Sequence, residues 1–141
     1  MSTLNIDIHS FSYKKGGIPK DLTGNGGGFV FDCRGILNPG RIEEYKQQTG
    51  SDEAVKTYLK EKTKIHEFLS AIEQLVAINI EDYLERGFEN LQINFGCTGG
   101  QHRSVYSANH IADYIREKYP QTKVNLTHDE QPHLNTSKVT D

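Results

Sequence analysis

The residue types that do phosphate chemistry crowd into one stretch of this chain, Gly96-Cys97-Thr98-Gly99-Gly100-Gln101-His102-Arg103-Ser104. A thiol, five intervening residues, an arginine and a serine make the spacing of a cysteine phosphatase loop. In such a loop the thiolate attacks phosphorus while the guanidinium clamps the equatorial oxygens. The same residues also suit an anion cradle that cleaves nothing. Small residues let backbone N–H groups and a helix N-terminus face a phosphate, and Arg103 adds a permanent bidentate charge. Cleavage would need more than the sequence displays. Gly96 stands where a histidine commonly precedes the cysteine, and Asp32 is the one candidate for a general acid. The competing reading of Cys97 is a small buried residue closing a strand.

Two readings are open for the neighbouring polar residues as well. His102 either meets a phosphate oxygen at the helix start or orients the loop. Arg34 either adds a second cation for a phosphate or carboxylate, or pairs with Asp32, and Asn38 follows it closely enough to reach the same edge. His66 sits beside the apolar face of a helical pattern and reads as packing, and His110 reads as exposed. His128 and His133 have no zinc spacing to Cys or Asp, so no metal and no cofactor is expected. The run Gly24-Asn25-Gly26-Gly27-Gly28 lacks a following Gly-Lys-Ser or Gly-Lys-Thr and is a flexible connection, not an NTPase phosphate loop.

The elements that must position these groups are legible from periodicity. Leu4 to His9 and Leu91 to Phe95 alternate as half-buried strands, Phe29 to Cys33 is a shorter apolar strand, and Val124 to His128 is a fourth. Between Leu4–His9 and Phe29–Cys33 lies a loop from Ser12 to Gly28 with six glycines and Pro19. Ile42 to Gln48 reads as a short helix ending at Gly50, and Ser51 or Asp52 caps another carrying Val55, Tyr58 and Leu59. The strongest helical stripe runs from Ile65 to Leu84 and stops at Gly87; Arg103 to Tyr119 forms the last, ended by Pro120. The expected fold is one small α/β domain, residues 1–128. It has a mainly parallel sheet of about four strands flanked by helices, with the anion loop at a strand end. Residues 129–141 are polar and aperiodic and read as a flexible tail.

Composition narrows the function classes. The 141 residues are 35% hydrophobic and 25% charged, enough for one core. No apolar run approaches the roughly 18 residues of a membrane span, and Met1-Ser2-Thr3 opens without a leader, so a soluble cytoplasmic protein is expected. Cys33 and Cys97 are expected as reduced thiols. A net charge of -3 and pI near 6.1 argue against broad nucleic-acid binding. Lys14, Lys15 and Lys20, and the alternate Lys60, Lys62 and Lys64, read as solvated surface.

Gly96 to Tyr106 resembles the signature of the C-terminal domain of the RapZ family of RNase adaptors and its YvcJ-type nucleotide-binding relatives. The likeness continues in Ser10 to Lys14 with Gly17-Ile18-Pro19, in Phe31-Asp32-Cys33-Arg34 with Leu37-Asn38-Pro39, in Thr49 to Asp52 with Val55, and in Leu59 to Phe68. It spans roughly residues 4–128. The resemblance implies an architecture similar to a phosphosugar kinase subdomain and a sensing or adaptor role. It further implies binding of an amino-sugar phosphate such as glucosamine-6-phosphate, self-association, and presentation of a basic C-terminal surface to small RNA. By matching position, Thr98, Gly99, Gly100, His102 and Arg103 would form the phosphate-facing pocket, with Asn38 at its rim. Two features depart from the family. Nothing here supplies a Walker-type domain, and the chain continues His128-Asp129-Glu130 where RNA-binding members carry a basic cluster. Gly40 also replaces a commonly bulky residue. The expected partners are therefore a phosphorylated small molecule and a second copy, with a cysteine phosphatase as the alternative and an RNA adaptor as the third reading.

Overall fold

The computed structural model describes residues 3–138. Eight-residue strand β1 (Asn5–Ser12) opens the chain, followed after the glycine-rich loop by β2 (Phe29–Asp32). Helices α1 (Glu53–Lys62) and α2 (Ile65–Arg86) lead to β3 (Asn90–Cys97); α3 (Arg103–Lys118) and β4 (Lys123–His128) complete the domain. The four strands form one sheet in the order β2-β3-β1-β4, and every pairing is parallel. This is an α/β domain with a parallel sheet and flanking helices.

Each strand's burial follows from its place in that order. β3 is central, and seven of its eight residues are buried. In β1, Ile6 and Ile8 alternate with half-buried polar residues, and these isoleucines join Ile93, Phe95, Ile111 and Ile115 in the core. β2 lies at the edge and is short, with half-buried and exposed residues alternating. α3 packs on β1, β3 and β4, and α2 packs on α3. α2 is closed by Gly87, whose left-handed φ of 76° lets its N–H reach the Tyr83 carbonyl. No described helix is long and apolar enough to cross a membrane.

The expected helix at Ile42 to Gln48 is replaced by single 3-10 turns at Pro39–Arg41 and Glu43–Tyr45. The cause lies far away in sequence. The Gln101 amide donates to the carbonyls of Lys46 and Gln48, both at 2.7 Å, and His102 Nε2 donates to Tyr45 at 2.9 Å. Those bonds tie the end of the segment to the loop before α3, and seven residues hold too few turns to repay helix nucleation.

Beyond β4, Asp129 pairs with His9 at 2.8 Å, and Asn135, within the 3-10 segment Pro132–Lys138, accepts from the His128 N–H at 2.8 Å. The end of the tail expected from residue 129 lies outside the described residues.

Candidate ligand-binding site

The loop Cys97 to His102 sits where β3 ends and α3 begins, at the carboxyl edge of the parallel sheet, where such sheets hold their ligands. Three backbone features force its shape. Ser12 Oγ donates to the Thr98 carbonyl at 2.6 Å and Tyr13 N–H to Cys97 at 3.0 Å, so the end of β1 pins the loop's start. Gly100 has φ 67°, and a Cβ there would lie 2.9 Å from Glu130 Cγ. A Cβ on Gly96 would come within 2.6 Å of both the Phe11 and Tyr13 rings. That crowding explains the missing histidine: no side chain fits before Cys97.

Arg103 opens α3 yet is only 5% exposed. Its Nη1 donates to the Ile36 carbonyl at 2.8 Å and to Arg34 at 3.2 Å, and Nη2 reaches Thr98 Oγ1 at 3.5 Å. Nε is buried without a partner among the described residues. One guanidinium thus fixes the turn after β2 against the loop after β3 and keeps a donor to spare. Arg34 closes a bidentate pair on Asp32 at 2.9 and 2.8 Å while stacking 3.9 Å above the Tyr13 ring. That pair holds the Asp32 carboxyl below the usual carboxylate range, chiefly through the Arg34 hydrogen bond, which makes Asp32 a poor proton donor near neutrality. Asn38 spends its Oδ1 on the Gly40 N–H at 2.8 Å, a cap for the next turn.

Burial pushes the Cys97 thiol up, but the Ser104 hydroxyl, the Ser104 backbone N–H, the Arg103 charge and the Gly100 N–H together outweigh it. The thiol is held below its ordinary value. As a thiol it donates to Ser104 Oγ at 3.1 Å; as a thiolate it accepts from the same hydroxyl. Cys33 is the opposite case: burial pushes it up to about 12. Burial also lowers His102, against the hydrogen bond to Tyr45. With Nε2 spent on that carbonyl, His102 orients the loop.

Beside Arg103 opens a recess of about 420 Å³, lined by Arg34, Gly35, Ile36, Leu37, Asn38, Arg41, Lys64 and Arg103. Four cations and no carboxylate border it. Of the residues nominated from sequence, Arg34, Asn38 and Arg103 line this recess. Cys97, Thr98, Gly99, Gly100, Gln101, His102 and Ser104 build the loop and do not line it, so Arg103 is the member common to both. Arg41 and Lys64 were missed. Lys64 lay in a ladder of alternate lysines that reads as solvated surface, and only the fold brings the start of α2 to the turn after β2. Gly50 was also missed: its N–H donates to Gln101 at 2.9 Å, and a Cβ there would meet the His102 carbonyl and lie 2.6 Å from Tyr106 N.

Comparison with known proteins places residues 4–132 on a family model described as the RapZ C-terminal domain. A nucleotide-binding protein of Endomicrobium trichonymphae is 36% identical over 130 residues, which is 89% of this chain and 43% of that protein. Nucleotide-binding proteins of Thermoanaerobacter pseudethanolicus, 40% identical over 113 residues, and Cereibacter sphaeroides, 38% over 114, match 80% and 81% of the chain and 38% and 36% of their own length. The chain therefore spans well under half the length of these curated relatives.

Proposed function

The chain belongs to the RapZ C-terminal domain family, and on that footing we propose a ligand-binding or adaptor domain whose basic recess takes a phosphorylated metabolite, an amino-sugar phosphate or a nucleotide-like molecule. One observation carries the reading. Arg103, whose buried Nε has no partner among the described residues, lines a recess also bordered by Arg34, Arg41 and Lys64. A buried donor left unmade costs free energy that an anionic oxygen would return, and a guanidinium meets phosphate with two parallel bonds. The cytoplasm is the proposed setting. Titration calorimetry with inorganic phosphate and glucosamine-6-phosphate tests the reading: Arg41→Ala with Lys64→Ala should weaken binding about tenfold, close to 1.4 kcal/mol, for two partly solvated charges. Unchanged affinity in the double variant, or no binding by the unaltered protein, overturns it.

A second reading, cysteine-dependent phosphate cleavage, is favoured by the lowered Cys97 thiol beside Ser104 and Arg103. It predicts turnover of an aryl phosphate that disappears in Cys97→Ser; no turnover between pH 5 and 9 sinks it. Self-association is proposed on the outer face of α2, where Phe68, Ala71, Leu75 and Ile78 recur at steps of three and four, with Leu75 49% and Ile78 71% exposed. An antiparallel second copy would set Phe68 against Ile78 and Ala71 against Leu75, large residues against smaller ones.

A further inference from the structure

The chain has two cysteines, and the fold sets them side by side. β2 and β3 run parallel with Phe31 opposite Phe95 and Asp32 opposite Gly96. Asp32 keeps extended angles, φ -88° and ψ 112°, so Cys33, which opens the 3-10 turn Cys33–Gly35, leaves β2 beside Cys97, the residue after Gly96. Adjacent strands lie roughly 4.8 Å apart, within the ~4.4–6.8 Å between Cα atoms that a disulfide bridges. Both thiols also turn to the same side. Cys97 Sγ is 3.1 Å from Ser104 Oγ and Cys33 Sγ is 3.7 Å from Ser107 Oγ, and those serines are three apart on α3, neighbours on one helix face.

Their surroundings divide the roles. Cys97 has the serine hydroxyl, loop N–H groups and the Arg103 charge about it, the setting in which a sulfur is nucleophilic; Cys33 has burial with little to offset it. Cys97 is 2% exposed and is followed directly by exposed Thr98, which sets it where the buried strand gives way to the loop.

We infer that Cys97 and Cys33 form a peroxide-oxidisable dithiol pair, with Cys97 the reacting sulfur and Cys33 the resolving one. The Cys97 thiolate attacks one oxygen of hydrogen peroxide, the O–O bond breaks, and the hydroxide released takes a proton to become water. Cys97 is thereby oxidised by two electrons to a sulfenic acid. The Cys33 sulfur then attacks the sulfenic sulfur; an S–S bond forms, the S–O bond breaks, and the departing hydroxide leaves with the Cys33 proton as a second water. One peroxide is reduced to two waters and two thiols become one disulfide. The bond would tie the turn after β2, which carries Arg34 and Asn38, to the loop after β3. The inference rests on the two thiols alone and is independent of what the recess binds.

The test uses the full chain, reduced, exposed to hydrogen peroxide and then denatured in N-ethylmaleimide. The expected product is a single chain lighter by two hydrogens, carrying no maleimide, whose peptide map joins the Cys33 and Cys97 peptides. In Cys33→Ser, dimedone should label Cys97 instead; in Cys97→Ser, loss of the Cys33 thiol should slow at least about tenfold, as for a thiol without an activating environment. Two outcomes overturn the inference: both thiols fully alkylated after an exposure that oxidises glutathione, or disulfides found only between chains. Both are read on the unaltered protein, so neither depends on a variant folding.

Discussion

Arg103 should be as much a structural residue as a binding one, and its replacement separates the two roles. In Arg103→Ala the carbonyls of Ile36 and Arg34 lose donors at 2.8 and 3.2 Å, in a place where Arg103 is 5% exposed. A hydrogen bond from a charged donor is worth about 1.5–3 kcal/mol, and the side chain's removal also leaves a void under the loop. The expected loss is about 3–5 kcal/mol, a large part of the roughly 5–15 kcal/mol that holds a domain together. Arg103→Lys keeps the charge but offers one compact head group, which can serve the Ile36 carbonyl and not also a ligand. It should cost about 1–2 kcal/mol of stability and still bind phosphate at least about tenfold more weakly. Urea unfolding gives the first quantity and calorimetry with inorganic phosphate the second. If Arg103→Ala unfolds within about 0.5 kcal/mol of the unaltered protein, the anchoring of the turn after β2 is energetically empty. If Arg103→Lys binds phosphate as tightly as arginine does, the unpartnered Nε has no part in the site.

Gly96→Ala should cost at least about 2 kcal/mol in urea unfolding, because the added methyl meets the Phe11 and Tyr13 rings at 2.6 Å and both are held by the sheet and its following turn; a neutral result would mean the rings move at no cost. Tyr119 is pushed up to about 12 by burial and by its hydrogen bond to Glu81. Its raised value means the neutral phenol stabilises the fold fully below pH 10, and that contribution is lost as pH rises from 10 to about 12. The stability difference between the unaltered protein and Tyr119→Phe should therefore shrink over that window, and a difference constant with pH would contradict the assignment. Ile78→Glu should leave circular dichroism unchanged, since that residue is 71% exposed, and abolish concentration-dependent association in sedimentation; association that persists would place the contact elsewhere.

What was legible in the sequence was local. The alternation of Leu91 to Phe95, the glycine pair and the helical stripe after Arg103 each follow from neighbours within a few residues, and all three appear where periodicity put them. The left-handed stop at Gly87 is of the same kind. The 3-10 turns at Pro39–Arg41 and Glu43–Tyr45 were not legible, because the segment that holds them is tied at Tyr45, Lys46 and Gln48 to Gln101 and His102, more than fifty residues on. The recess was half legible for the same reason: Arg34 and Asn38 follow a strand end and could be placed at the sheet's edge, but Arg41 and Lys64 reach it only through the path of the intervening chain.

The cysteine loop shows how one motif can be read correctly in spacing and still be open in use. Spacing put Cys97, Arg103 and Ser104 together, and the structure does so, with the thiol on the serine at 3.1 Å. Spacing could not show that Arg103 spends Nη1 on two carbonyls from the turn after β2, nor that Arg34 holds Asp32 ionised. A phosphatase needs a proton for its leaving group and an arginine committed to the transferring phosphoryl group. Here the candidate acid is held ionised by its own neighbour and the arginine already has structural duty, with three of its five N–H groups committed to Ile36, Arg34 and Thr98. An arginine so tethered, among three further cations, is better suited to holding an anion than to following it through a transition state. That division of Arg103 makes binding the stronger reading of the loop, and it is why the stability of Arg103 variants must be measured beside their affinity.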